Sequence, residues 1–438
     1  MRFEPMKSLA ALALTATLAL PTAADAVEVQ ELTSPAGQSF WLVSEPSIPI
    51  VALEMSFTTG ARLDPDGREG LTRLVMGLLD EGAGERDAVA FSAEADALSA
   101  RFGFSAGRDS VTVSARMLTE TIEPASALLA EALSSPRFDA DALERVRGQA
   151  LSGIASDETD PGAISQRRWF SAAFAGHAYA RPTSGTAESV GAITRDDLVA
   201  QHKRILTRSS ALIGIVGNID AAAAGALIDR VLAGLTAGEP VAFAPPETEI
   251  PPGQTVVDFD VPQSVVLFGH AGIAREDEDY IPAFVMNYIL GGGGFSSRLM
   301  TEVREKRGLA YGVYAYIAGL DGAPLYLGRV QTANARVAES IAVIREEWAR
   351  MAAEGVTEEE LAKAKRYLTG AFPLRFDSNA KIARFLVGMQ ESGLGTGYID
   401  ERNGLIEAVT LEDIRRVAAR VLQPDALSVV VVGKPEGL

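Results

Sequence analysis

Arg304 and Tyr311 are the residues of this chain whose types and spacing could do chemistry together. A guanidinium offers five donors in a fixed fork, and a phenol adds a hydroxyl that both donates and accepts. Seven positions apart, the two can point at one ligand only if a tight turn lies between them. The stretch 291–311, GGGGFSSRLMTEVREKRGLAY, supplies one. After Phe295, Leu299 and Val303 fall four residues apart, so they share a helical face and pack inward, while Arg304, Lys306 and Arg307 face outward. Gly308 stops the helix. From Tyr311 the period becomes two: Tyr311, Val313, Ala315 and Ile317 alternate with Gly312, Tyr314 and Tyr316, as in a strand. The run 291–294 lacks the G-K-[ST] of a phosphate loop and instead lets backbone approach a ligand or a neighbouring strand. Residue types alone leave a second reading open, a solvated basic helix beside a core tyrosine.

The pattern SSRL-x-x-x-VREK-x-G-x-A-Y in this stretch resembles the C-terminal half of M16 metallopeptidases, the pitrilysin, insulysin and mitochondrial processing peptidase family. The resemblance implies that Arg304 and Tyr311 bind the peptide backbone near a scissile bond. It extends over essentially the whole chain from about Val29. It also implies an α+β fold in which two homologous halves, each a mainly antiparallel sheet flanked by helices, face each other across a cavity like a clam shell.

Active members of that family carry H-x-x-E-H on a helix of the N-terminal half. Two imidazoles hold zinc with one position open for water, and the Glu is the base that activates that water. Here Arg73 and Gly77 stand at the His positions and Met76 stands for the Glu. The helix itself persists, since Leu71, Leu74, Val75, Leu78 and Leu79 form an apolar stripe. At 100° per residue, Arg73, Met76 and Gly77 fall on the opposite face, which is expected to look into the cavity. The family's third ligand, a Glu on a later helix, matches within 149–153, a segment with no acid. The three His residues, His177, His202 and His270, are too far apart in sequence for a local two-His site. His177 resembles a structural H-x-Y turn with Tyr179, His202 falls on a helix and His270 ends a strand. Residues 103–107 match G-x-S-x-G, but a nucleophile elbow needs a strand before it and a helix after it, and here the order is reversed. The chain is therefore expected to bind no metal of its own.

With 438 residues the chain exceeds one core, at ~150 residues per domain. Residues 1–26 read as a secretory signal, with Arg2 and Lys7, an apolar run from Leu9 to Leu20, and Ala24-Asp25-Ala26 as cleavage site. That run is too short to be a permanent span of ~20 residues, so stable membrane insertion is not expected. The net charge of −18 excludes ordinary nucleic-acid binding, which needs clustered Lys and Arg. Zero cysteines exclude disulfides and thiolate zinc. A Pro-rich stretch at 237–256 reads as a linker between an N-terminal domain, 27–236, and a C-terminal domain, 257–438.

The two halves look alike. AITRDDLVAQHKRILTRSSALIGIVGNID from Ala192 matches AVTLEDIRRVAARVLQPDALSVVVVGKPE from Ala408, with Thr194 and Thr410 as helix N-caps and Gly217 and Gly433 closing strands. Nearer the start of each half, VALEMSFTTGAR from Val51 matches SVVLFGHAGIAR from Ser264.

Together these features describe a non-catalytic subunit of a heteromeric, periplasmic or secreted M16 peptidase. It contributes substrate-binding Arg304 and Tyr311 and half of the cavity, while a zinc-bearing M16 partner holds the metal and a peptide is the substrate. The alternative is an inert scaffold or peptide-binding protein of the same fold. An enzyme acting through an unrelated site is a third class.

Overall fold

The computed structural model describes residues 28–239, 241, 243–246 and 250–438. The expected signal, 1–26, and part of the expected linker lie outside the described residues. Thirteen strands are found among those described: β1 Gln30–Thr33, β2 Ser39–Ser44, β3 Ile50–Phe57, β4 Gly82–Ala83, β5 Arg86–Asp87, β6 Arg101–Ala106, β7 Val111–Leu118, β8 Ala211–Gly217, β9 Gly253–Asp258, β10 Gln263–Ala271, β11 Ala310–Ala318, β12 Leu325–Ala333 and β13 Ser428–Gly433. They alternate buried and outward side chains wherever one face is solvated; in β7, for example, Val111, Val113, Ala115 and Met117 point to the core.

The duplication seen in the sequence is a duplication of sheet topology. The N-terminal sheet runs β1-β2-β8-β3-β7-β6 and the C-terminal one β9-β13-β10-β12-β11. Setting β1 aside, the orders superpose strand for strand. Each sheet holds a single parallel pairing at the same place, β2 with β8 and β9 with β13, and is otherwise antiparallel. Thr194 and Thr410 cap their helices in reciprocal boxes with Asp197 and Asp413. The fold is α+β, as expected. β9 starts at Gly253, inside the 237–256 stretch expected as linker, because residues 253–258 pair in parallel with the buried strand β13.

One face of each sheet is covered by helices of its own half. Ile122–Ser134, Ala140–Asp157, Arg195–Ile205 and Ala221–Leu232 enclose a core around Leu53, Met55, Leu129 and Ile213. Val337–Glu354, Glu358–Gly370 and Leu411–Val421 enclose one around Phe268, Tyr326, Trp348 and Val431. The other face is partly covered by a helix from the opposite half. Pro161–Ala173 lies on β10 and β13, burying Trp169 and Phe170 against Leu267, Leu325, Leu327 and Val430. Asn379–Glu391 lies on β3 and β8, burying Ile382, Ala383 and Leu386 against Trp41, Ala52 and Val216. The approach is close enough that a Cβ on Gly214 would stand 2.7 Å from the Ala383 carbonyl oxygen, so only glycine admits the helix there. Uncovered parts of β3, β6 and β7, the exchanged helix Asn379–Glu391 and the C-terminal half's segments 274–276 and 319–324 line the cavity between the halves, giving the clam-shell arrangement.

The exchange predicts that the halves melt as one unit. Trp169 is fully buried, and its indole donates to the Ser428 carbonyl across the interface at 3.1 Å. Trp169→Ala is expected to cost about 3–5 kcal/mol. Urea unfolding followed by far-UV circular dichroism, and by the fluorescence of Trp41 and Trp348, checks this: both probes shift together to lower denaturant. A loss below about 1 kcal/mol, or a shift confined to one probe, contradicts the exchange.

Candidate functional site

The glycine run packs where the sequence suggested, against a strand: a Cβ on Gly291 would stand 2.7 Å from the Ala315 nitrogen of β11. Leu299 and Val303 are fully buried, as their spacing requires. Phe295 does not join them and is 64% exposed, because Gly294–Ser296 forms a separate tight turn ahead of the helical segment. The segment Met300–Glu305 is wound wide, with the Lys306 amide reaching back five residues to the Thr301 carbonyl at 3.0 Å. π-type turns of this kind are uncommon and often mark functional sites. Gly308, at φ +60°, closes the segment, with its own N–H on the Arg304 carbonyl and that of Leu309 on the Val303 carbonyl.

This turn brings Arg304 and Tyr311 together. The guanidinium carbon lies 4.6 Å from the Tyr311 ring centroid and 4.5 Å from that of Phe295, so the cation is held between two exposed rings. Nη1 of Arg304 is buried with no hydrogen-bond partner among the described residues. Lys306 and Arg307 differ from it: both are bound to Glu302, at 2.7 and 2.6 Å, and burial of that carboxylate is outweighed by the two cations, which hold its pKa below the usual range. Of the three basic residues expected to face outward, one is therefore uncommitted.

Tyr311 corrects the predicted alternation. Between Ala310, paired with Thr332, and Val313, paired with Val330, β11 carries one residue more than β12. A bulge of this kind re-aims a side chain. Here Tyr311 leaves the inward set of Val313 and Ala315 and stands 83% exposed, on the side of Tyr314 and Tyr316. The platform is pinned from behind by Arg298, which grips Glu360 at 2.7 and 2.8 Å and the Gly355 carbonyl at 2.9 Å. Burial pushes the Glu360 pKa up, but the Arg298 fork and the Thr357 donors outweigh it and hold it at about 2. Phe295 was missed by periodicity as part of the site, and only its place beside a glycine run could have marked it.

The degenerate zinc-motif positions lie on the short helix Leu71–Met76 and the turn after it. Arg73 is exposed and Gly77 half-buried, with a Cβ on Gly77 meeting Val146 at 3.4 Å. Met76 was expected on the cavity face; instead it is 1% exposed, in the N-terminal core. At 100° per residue it sits about 60° from both Leu79 and Arg73. An uncharged thioether at that boundary settles inward. The 149–153 segment presents Gln149, Ser152 and Gly153 to solvent and offers no acid. No group of three potential metal ligands occurs among the described residues, so side chains able to hold zinc are not assembled here.

The three His residues serve structure. His177 accepts the Tyr179 amide at 3.2 Å and its Nε2 lies 3.1 Å from the Ala244 carbonyl oxygen. His202 is buried against the Leu133 carbonyl oxygen at 2.8 Å. His270 accepts the Trp348 indole N–H on Nε2 at 3.0 Å, so Nδ1 carries the proton toward the Ala271 carbonyl oxygen. Burial pushes the pKa of both His202 and His270 down. Residues 103–107 lie on and just past the sheet-edge strand β6 and form no nucleophile elbow.

Comparisons with known proteins agree with this geometry. Residues 40–187 match the family model described as insulinase, peptidase family M16, and residues 192–368 match that described as the peptidase M16 inactive domain. A crystal structure titled as a peptidase M16 inactive domain from Pseudomonas fluorescens is similar at TM-score 0.88 and 30% identity, covering 93% of this chain and 98% of that one. An uncharacterized zinc protease of Streptomyces coelicolor is 29% identical over 92% of this chain and 89% of its own length. The non-peptidase homolog YmxG of Helicobacter pylori is 28% identical over 75% and 76%.

Two predictions follow from this geometry. Met76→Leu should change stability by less than about 1.5 kcal/mol, whereas Met76→Glu, which buries a carboxylate without a partner, should cost about 3 kcal/mol or more. Chemical denaturation of both variants checks this, and a well-tolerated Glu would mean that the side chain reaches solvent. Glu360→Gln should cost about 1–2 kcal/mol at neutral pH, allowing for its partial exposure. Its folded pKa lies below its unfolded value, so the contribution is present above about pH 4.5 and is lost as pH falls toward 2. The stability gap between wild type and variant should therefore close over that window, and a gap that stays constant contradicts the assignment.

Proposed function

Because the chain belongs to the M16 insulinase peptidase family, we propose that it is the non-catalytic subunit of a heteromeric zinc peptidase, lending Arg304 and Tyr311 and half of a cavity to a zinc-bearing M16 partner. One observation carries this reading: the Arg304–Tyr311 cluster is intact, with a half-buried Arg304 beneath exposed rings and without a carboxylate partner among the described residues, in a chain with Arg73, Met76 and Gly77 at the zinc-motif positions. Arg304 is steadied between two rings with its Nη1 unsatisfied, so a shift of the Phe295 or Tyr311 ring would free a donor for a peptide carbonyl. The Tyr311 hydroxyl, aimed outward by the bulge, can donate to the oxygen on which charge develops as a peptide bond is attacked. In this reading the metal and the water it activates belong to the partner. The signal-like segment 1–26 supports export and assembly in the periplasm, with secretion as the other destination. The substrate is a peptide.

Co-purification with a zinc-bearing M16 subunit encoded beside it, followed by steady-state kinetics, tests this. Tyr311→Phe removes one hydroxyl from an exposed ring, so melting and assembly should be unchanged while kcat falls about 10²-fold. A rise confined to KM would mean that the hydroxyl binds only the ground state. Arg304→Lys keeps the charge but loses the planar fork and should also lower activity. Unchanged kinetics in both variants favour the scaffold reading instead.

A further inference from the structure

The exchanged helix Asn379–Glu391 meets the C-terminal half around a cavity of about 600 Å³ that contains neither Arg304 nor any zinc-motif position. Three guanidiniums converge on it: Arg275 after β10, Arg375 in the turn Pro373–Arg375, and Arg402 on the helix Tyr398–Ala408. None has a carboxylate within 4.0 Å among the described residues. Arg275 stacks on Tyr280 and Tyr398, at 4.3 and 5.2 Å. Arg402 is only 5% exposed; its Nη1 donates to the Leu368 carbonyl and the Asn403 amide oxygen, and its guanidinium carbon lies 4.2 Å from the Phe372 centroid. Burial, with added repulsion from Arg375 and Arg275, pushes the Arg402 pKa down. Two further cations at the cavity are accounted for, Lys381 by Asp377 at 2.7 Å and Arg384 by Glu54 at 3.6 Å.

Like charges gathered around a partly buried site without counter-charge are unfavourable unless a ligand supplies it. In a protein of net charge −18, supplying it internally would have been easy. The other half does so at the equivalent residue. The repeat VALEMSFTTGAR and SVVLFGHAGIAR aligns Arg62 with Arg275. Arg62 is paired with Asp109 at 3.3 Å and also with Asp321, and it stacks on Phe243. One copy of the duplicated arginine is neutralised by the protein, and its counterpart opens onto a cavity.

The remaining walls are apolar, with Phe284, Phe385 and Leu374 among them. The cavity is also not closed. It shares Arg384 and Gly388 with a groove beneath β3, β6 and β7, and Arg275 and Ser392 with a hollow between the halves. A hollow that continues in two directions suits an extended chain better than an isolated lipid tail. We propose that this cavity binds an extended peptide segment in which a carboxylate side chain is flanked by large apolar side chains, the three arginines holding the carboxylate. The proposal rests on the reading that the cavity receives peptide, and it assigns a class to that peptide: acidic and apolar.

The test is fluorescence anisotropy on the purified full chain with three labelled octapeptides that share one apolar frame and carry Asp, Asn or Lys at the centre, with dodecanoate as a competitor. The Asp peptide should bind about tenfold or more tighter than the Asn peptide, and the Lys peptide weakest, as expected for charge-assisted hydrogen bonds. Arg275→Gln and Arg375→Gln, chosen because neither side chain is fully buried, should each erase most of the Asp-over-Asn preference without lowering Tm. Equal binding of the Asp and Asn peptides overturns the proposal, as does a preference that survives in both variants. Dodecanoate binding without peptide binding also overturns it and assigns the site to a lipid carboxylate. No partner or proteolysis enters this assay, so its failure is distinct from unchanged kinetics in the Tyr311→Phe complex.

Discussion

Each half of this protein depends on a helix that belongs to the other. A sheet with one face covered by its own helices still has a second apolar face, and burying it contributes ~25 cal/mol per Å². Here that contribution is made in trans within one chain: Trp169 and Phe170 cover β10 and β13, and Ala383 and Leu386 cover β3 and β8. The exchange fixes how the halves face each other, and so the shape of the cavity. It leaves β6 and β7 without a crossing helix, and their inner faces line a groove available for ligand, whereas Pro161–Ala173 partly covers β12 at Leu325 and Leu327.

Within that frame, local charge balance decides which side chains can act. The stretch around Arg304 is rich in cations, yet Glu302 commits Lys306 and Arg307 to the fold and leaves Arg304 to stack between Phe295 and Tyr311. The same selection operates between Arg62 and Arg275. In both places the informative feature is an arginine whose neighbours supply aromatic faces and no carboxylate. Rings steady the cation without neutralising it.

Much of this was legible in the sequence. The duplication could be read because capping boxes and strand-ending glycines recur at one spacing, and the structure places them at equivalent points of two superposable sheets. The Arg304–Tyr311 juxtaposition was legible because a glycine stop and a change of period force a tight turn. The rest was hidden for physical reasons. A bulge adds one residue to one strand, and nothing in an alternating pattern announces it, so alternation groups Tyr311 with Val313 and Ala315 instead of with Tyr314 and Tyr316. Met76 lay on the border between two helical faces, where chemistry and not angle decides. Periodicity identifies the apolar face of the helix Pro161–Ala173 but not the sheet it covers, since that sheet is built from strands of the other half, from Gln263–Ala271 to Ser428–Gly433.

That separation bears on how the chain is made. The Trp169 indole meets the Ser428 carbonyl across 259 positions of sequence, and β13 is an interior strand of its sheet although it is the last one formed. A polypeptide emerging from its N-terminus holds the aromatic face of Pro161–Ala173 incompletely covered until Ser428–Gly433 appears beside β10, and loop-closure entropy makes so distant a contact slow to form. The nascent molecule therefore spends most of its synthesis as an adhesive intermediate, dependent on whatever shields apolar surface in its compartment. Loss of its last dozen residues would leave both halves incomplete.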